Sequence, residues 1–234
     1  MRFWGTLFLA LAIHASATGW DSLRVQVGPT QSASGIWSQK GSKAPRGLVV
    51  WLHGGMQSSK CEKGYEAGKA LLPYMDKAGV VIASPSACMD RHWVTPQGLG
   101  AVEALIDTVF AHYNIDPKRI WLVGVSDGGY GVMNYSLQGK RALAKRVLIS
   151  TFPGALVPLQ DLAQVQQQLN VGRWIYLQGG ADAIFPAAQT KPWIEGFCNQ
   201  ISHCELHWEP TGEHDMSWWN TNRADLLRQV FTAK

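Results

Sequence analysis

The sequence is poor in charge: only 16% of its 234 residues are Asp, Glu, Lys or Arg, and the formal net charge is +4. Its basic residues are scattered. They form no dense stripe of the kind that neutralising a run of phosphates requires, so no nucleic-acid partner is expected and the charge reads as a solubility feature. Internal repeats and low-complexity tracts are absent, which excludes solenoids and disordered arrays. No long linker rich in Pro, Gly or Ser divides the chain, whose length suits one core better than two. No apolar run reaches the roughly 18 residues that a transmembrane span needs, so no membrane anchor is expected. Cysteine is scarce as well. The four present show no close C-x-x-C spacing and no histidine cluster beside them, so neither a zinc site nor any other cofactor is expected.

What is abundant is apolar and small. Hydrophobic residues make up 46% of the chain, with 11 Trp and 24 Gly, a composition that fits a dense interior joined by tight turns. The N-terminus reads as an export signal: Arg2 supplies positive charge, Phe3 to Ile13 form a short apolar run, and Ala15-Ser16-Ala17 is a small-residue cleavage site. Residues 1–17 are therefore expected to be removed and residues 18–234 to form a single domain, periplasmic or extracellular. Without Arg2 the chain carries 20 basic against 17 acidic side chains, a net +3. An oxidising compartment favours disulfides, and of the possible pairings Cys198 with Cys204 and Cys61 with Cys88 are expected.

Hydrophobic periodicity predicts strands and helices in alternation. Strands are expected near Leu23–Val27 and at residues 47–52, 80–83, 120–123, 147–149, 174–177 and 205–208. Helices are expected near residues 65–77, 98–113, 128–137, 159–169, 193–200 and 221–231. Several of the strands are continuous apolar runs, as in Gly47-Leu48-Val49-Val50-Trp51-Leu52, the mark of strands covered on both faces. The pattern implies right-handed crossovers and a mostly parallel central sheet with helices on both faces. In such sheets ligands bind beyond the carboxyl ends of the strands, which is where polar residues deserve inspection.

Gly124-Val125-Ser126-Asp127-Gly128-Gly129 stands where a predicted strand runs into a predicted helix. That is the setting of the G-x-S-x-G elbow, whose sharp turn exposes the serine hydroxyl and leaves no room for Cβ atoms at the flanking glycines. A serine hydroxyl needs a base, and the base needs an orienting group. Of the seven histidines, His214 occupies the loop after the last strand, where the chain order Ser, Asp, His places the base. His203 competes less well because it precedes that strand, and His112 and His207 fall inside predicted elements. Asp182, in the glycine-rich turn after the strand at 174–177, suits the orienting role better than Asp161 in a polar helix or Asp215 beside the histidine itself. Oxyanion donors are expected from the backbone N–H of Gly55 or Met56, in the loop His53-Gly54-Gly55-Met56-Gln57, and of Asp127. His53 is expected to brace that loop. Trp93, Phe185 and Trp218 are candidate substrate contacts because they sit near strand ends, although tryptophan also fills cores well.

These residues resemble the α/β-hydrolase superfamily, in particular the secreted esterase branch of polyhydroxybutyrate depolymerases and feruloyl and acetylxylan esterases. The likeness spans about residues 45 to 220. It is carried by Leu52-His53-Gly54-Gly55-Met56-Gln57, by Tyr113-Asn114-Ile115-Asp116-Pro117-Lys118-Arg119-Ile120 leading into the elbow, and by Asp182 and His214 in order. The resemblance implies Ser126 as nucleophile, His214 as base and Asp182 as orienter, acting on a small or polymer-attached carboxylic ester. The branch often has Cys in place of Gly55 and a small residue in place of Asp127. Between the strands at 147–149 and 174–177 there is space for about one helix, so no cap domain is expected. Two rivals use the same parts: a serine peptidase on this fold, and a catalytically silent module that binds a polymer or protein. Oligomeric state leaves no mark in the sequence.

Overall fold

The structure is a computed structural model that describes residues 20–28, 30–38, 46–55, 62–75, 79–87 and 92–232. The proposed signal segment, Met56, and the Cys61–Cys88 pair lie outside the described residues.

Eight strands form one sheet in the order β1-β2-β4-β3-β5-β6-β7-β8. They are β1 Asp21–Val27, β2 Thr30–Ser38, β3 Arg46–Leu52, β4 Val80–Ser84, β5 Ile115–Val125, β6 Lys145–Ile149, β7 Arg173–Gly179 and β8 Cys204–Glu209. The pairs β1·β2 and β2·β4 are antiparallel and all the others are parallel. The chain winds from β3 outward to β4 and then returns across β3 to β5, so the direction of winding reverses between β3 and β5. A crevice opens beyond the carboxyl ends of two strands wherever such a reversal occurs.

Alternate residues of the central strands feed two separate cores. From β3, Leu48, Val50 and Leu52 enter one core while Val49 and Trp51 enter the other; from β7, Trp174 and Tyr176 face one side and Ile175 and Leu177 the other. This is why those strands are apolar without alternation. The first core is covered by α3 (Pro96–His112), α4 (Asp127–Gln138), α5 (Leu162–Leu169) and α6 (Ala187–Gln200). Covering the second are α2 (Leu72–Met75), α7 (Met216–Asn222) and α8 (Ala224–Thr232), through Tyr74, Met75, Trp219, Leu227, Val230 and Phe231. Among the described residues no helix is long and apolar enough to cross a membrane.

Three elements differ from the sequence expectation. Strand β2 was not expected, because its residues Thr30-Gln31-Ser32-Ala33-Ser34 look like a loop; Ser32 and Ser34 are in fact buried on one face, and on the other Gly35, where a Cβ would stand 2.0 Å from the Trp20 ring, lets Trp20 and the Tyr65 backbone close over the strand. The helix expected at 65–77 is broken into α1 (Lys63–Ala67), a 3-10 turn at Gly68–Leu71 and α2. Gly68 presses on Trp20 and Ser84, and Pro73 has no N–H to continue the helical ladder. The terminal helix is two helices, starting earlier at Met216 and parted at Arg223, where φ is −138°. Arg223 there forms a two-pronged ion pair with Glu209 at 2.5 Å.

Candidate active site

Ser126 ends β5 and caps α4 with φ 54° and ψ −119°, a left-handed conformation that L residues with side chains seldom adopt. The sequence makes this turn feasible with glycine. A Cβ on Gly124 would lie 2.2 Å from Gly128 O, and one on Gly128 would lie 1.9 Å from Leu52 O. The amide of Ser126 donates to Ile149 O at 2.9 Å, which anchors the elbow to β6.

The turns after β7 and β8 bring two side chains to this serine. His214 Nε2 is 2.9 Å from Ser126 Oγ, and His214 Nδ1 is 2.9 Å from Oδ2 and 3.1 Å from Oδ1 of Asp182. The carboxylate can only accept, so Nδ1 carries the proton and Nε2 is left as an acceptor for the serine hydroxyl. Asp182 is buried and held from several sides: Oδ1 accepts the amides of Ile184 and Phe185 at 2.9 Å each, and Oδ2 accepts from Gln178 Nε2 at 3.2 Å. His214 is partly open to solvent, with 22% of its side chain exposed. Its neighbour Asp215 caps α7 by accepting the amide of Ser217 at 2.9 Å, which fixes the backbone beside the imidazole.

The loop after β3 lies against the serine. A Cβ on Gly54 would stand 3.0 Å from Ser126 Cβ, and Gly55 adopts φ +90°. Gly54 O is claimed by His53 Nδ1 at 2.9 Å and by the Lys63 ammonium at 2.6 Å. In a trans peptide the next N–H points opposite to that carbonyl, so the Gly55 amide is turned away from both donors. His53 is buried and accepts the Ala87 amide on Nε2 at 3.0 Å, which leaves its other nitrogen to donate to Gly54 O. Burial lowers its pKa to about 4, so it is a neutral brace rather than a proton carrier at neutral pH. The Asp127 amide, first of α4, has no partner within the helix.

The fold has counterparts among solved structures. An S-formylglutathione hydrolase from Staphylococcus aureus superposes with a TM-score of 0.69 at 15% identity, covering 92% of this chain and 98% of that one. A ferulic acid esterase gives 0.67 at 15% identity, with 92% and 97% covered. An acylaminoacyl peptidase from Pyrococcus horikoshii gives 0.64 at 12% identity, covering 92% of this chain but 40% of that one. The chain has the α/β-hydrolase fold. No protein-family model matches the sequence, and no curated protein does.

In α/β-hydrolase terms, the structure places Ser126, Asp182 and His214 together at the carboxyl ends of β5, β7 and β8. His203 stands at the opposite end of the sheet, its carbonyl accepting the Trp174 amide at the start of β7, and exposed Asp161 precedes α5. Of the aromatic candidates, Phe185 is near the imidazole, with ring centroids 5.5 Å apart. Trp93 is a correction: it is 1% exposed, gives its indole N–H to His53 O at 2.9 Å, and packs under α4 against Gly131. It props the loop after β3 from below and is too buried to line a cleft. Trp218 packs on the second core, edge-on to Trp219 and under Arg223. Sequence reasoning missed Gln178, whose signal was a lone polar residue closing the apolar run 174–177. It also missed His92, which stands 2.8 Å from Asp127. Among the described residues no group of three or more His, Cys, Asp and Glu could hold a metal ion.

Proposed function

We propose that this protein is a serine hydrolase that cleaves carboxylic esters through an acyl-enzyme on Ser126. The observation that carries the reading is the continuous relay Ser126 Oγ to His214 Nε2 and His214 Nδ1 to Asp182, all within 3.1 Å. Ser126 Oγ attacks the ester carbonyl as its proton passes to His214 Nε2. The carbonyl oxygen becomes an oxyanion facing the amides of Asp127 and Gly55, donors worth about 3 kcal/mol each in such sites. His214 returns the proton to the departing alkoxide, and an alcohol leaves. Water then repeats the sequence on the acyl-serine, releasing a carboxylic acid and restoring the hydroxyl. Asp182 keeps the imidazole in its Nδ1–H form and offsets the charge His214 carries between these transfers.

Ester cleavage is favoured by the names of the hydrolase and the esterase that share the fold. The peptidase match supports a second reading, with the reservation that this chain spans 40% of that protein. We also infer that the protein is exported, a reading supported by the signal-like N-terminus and the Cys198–Cys204 disulfide. The mature N-terminus would then lie near Thr18.

The test is labelling by a fluorophosphonate, followed by rates on a panel of nitrophenyl esters and peptidyl amides, with Ser126→Ala as the blank. Covalent labelling and ester turnover that vanish in Ser126→Ala are expected. Folded protein that neither labels nor turns over any ester would leave only the reading as a silent binding module. Faster turnover of the amides would favour the peptidase.

A further inference from the structure

Asp127 presents a conflict that the ester-cleavage reading does not resolve. Its amide is placed to meet a developing negative charge, yet the side chain of the same residue ends in a carboxyl group and is only 2% exposed. A buried, ionised carboxylate so close to an oxyanion would oppose the transition state that the amide favours. Neither of its oxygens has an aligned hydrogen-bond partner. What approaches it instead is His92, whose Nε2 stands 2.8 Å from Oδ1. At this separation opposite charges on the two groups would attract each other strongly. Lys63 adds a more distant positive charge from α1, and Tyr130 on α4 is a further titratable neighbour.

The surroundings point the same way. Burial pushes the Asp127 carboxyl above the ordinary carboxylate range, while His92 and, less strongly, Lys63 draw it back down. The His92 side chain is 16% exposed, and its backbone is fixed, since His92 O accepts both the amide and the hydroxyl of Thr95 at the start of α3. The histidine is thus held where it can face the carboxyl group. Trp93, the next residue, is the prop beneath the oxyanion loop, so one segment carries both the support and the counter-charge.

We propose that His92 is a positioning residue for the reaction: paired with the buried carboxyl of Asp127, it holds the pair at no net charge, so that the Asp127 amide meets the oxyanion without an uncompensated anion on the same residue. The proposal rests on the ester-cleavage reading. It also gives a reason for an acidic residue at a position where the turn demands only a backbone amide. His92 touches neither substrate nor serine and acts only through Asp127.

The test is a cycle of His92→Gln, Asp127→Asn and the double variant, assayed on a nitrophenyl ester with thermal melting of each protein. If wild-type protein shows no Ser126-dependent turnover, the functional reading itself fails. Given turnover, His92→Gln should lower kcat by about tenfold to a hundredfold while KM changes little, because the penalty arises where charge develops. Asp127→Asn should cost less than His92→Gln. Adding Asp127→Asn to His92→Gln should recover most of the lost kcat, a recovery that a purely structural role for His92 would not produce. Should His92→Gln fail to fold, a double variant that folds and matches Asp127→Asn still supports the proposal. An undiminished kcat in His92→Gln, or a double variant no better than His92→Gln, would overturn it.

Discussion

Gln178 and Asp182 are joined across the turn that ends β7: Gln178 Nε2 donates to Asp182 Oδ2 at 3.2 Å, while its Oε1 accepts the Thr151 amide at 3.0 Å. One buried amide therefore ties the Asp182 carboxylate to the loop after β6. Replacing Gln178 with Leu leaves the Thr151 amide and one carboxylate lone pair without partners in a buried site. Such losses cost about 1 to 3 kcal/mol each. The expected outcome is a lower melting temperature together with a kcat reduced by roughly tenfold, since Asp182 can then swing off the imidazole. Steady-state kinetics and a thermal melt check both.

Asp182→Asn separates charge and tautomer from shape. The amide can still accept through oxygen, but its NH2 group invites His214 to present an unprotonated Nδ1, which would put the proton on Nε2 and remove the acceptor for Ser126. Such a swap costs about 10⁴-fold in kcat in serine-triad enzymes. The same loss is expected here, with labelling by fluorophosphonate slowed in parallel. Activity within a few-fold of the unmodified protein would remove Asp182 from the relay.

His53 sets an acid limit on stability that is separate from catalysis. Its pKa in the folded protein is about 4, below the ordinary 6.5, because burial disfavours the imidazolium. Between those values the unfolded chain binds the proton more readily than the folded one. The stability that neutral His53 contributes is therefore fully present above pH 6.5 and is lost as pH falls toward 4, amounting to about 3 kcal/mol at the lower end. His53→Gln should lower stability at pH 7 by breaking the bonds to Gly54 and Ala87, yet show a shallower decline from pH 6.5 to 4. Urea unfolding of both proteins at several pH values measures the difference in slope.

The sequence made the central sheet legible because its strands are buried on both faces and so need no alternation to be recognised. The same logic failed for β2, whose burial is achieved with serine and glycine under Trp20 rather than with large apolar groups. Ser126, Asp182 and His214 could be picked out because each follows a strand and their order along the chain is constrained by the fold. Trp93 could not be judged in that way. Position after a strand is shared by pocket residues and loop supports, and only the bond from its indole to His53 O separates the two. The pairing of His92 with Asp127 escaped for the opposite reason: it spans two segments, and nothing in either one signals the other.

The Cys198–Cys204 bridge closes the end of α6 onto the start of β8, across a sequence separation of 6. A loop this short removes little entropy from the unfolded chain, about 2 kcal/mol. The double replacement of both residues by Ala should lower stability by that order while leaving kcat nearly unchanged, because the bridge lies at the end of the sheet opposite Ser126. Denaturant melts of the two proteins test this, alongside thiol alkylation. A bridge that is absent from the unreduced protein would show two alkylatable thiols at these positions.

Access to the serine depends on the chain between Ile149 and Arg173, where a fold of this kind would insert a cap. Here it holds only 3-10 turns at Pro153–Ala155 and Leu159–Asp161 and the eight-residue helix α5. It is also tied down. Trp193 Nε1 donates to Val157 O at 3.0 Å, Phe152 meets Trp193 edge-on with centroids 5.8 Å apart, and Leu162 and Leu169 are fully buried. Lifting the segment would expose these apolar side chains, each worth about 1.5 to 3 kcal/mol when buried, so it is a poor candidate for a mobile lid. A site that needs no opening gains nothing from an oil surface. The rate on tributyrin should therefore follow ordinary saturation as substrate passes its solubility limit, with no jump, after subtraction of the Ser126→Ala blank. A sharp rise confined to concentrations above saturation would mean that residues 150–172 do lift, and that the bonds to Trp193 break in the active form.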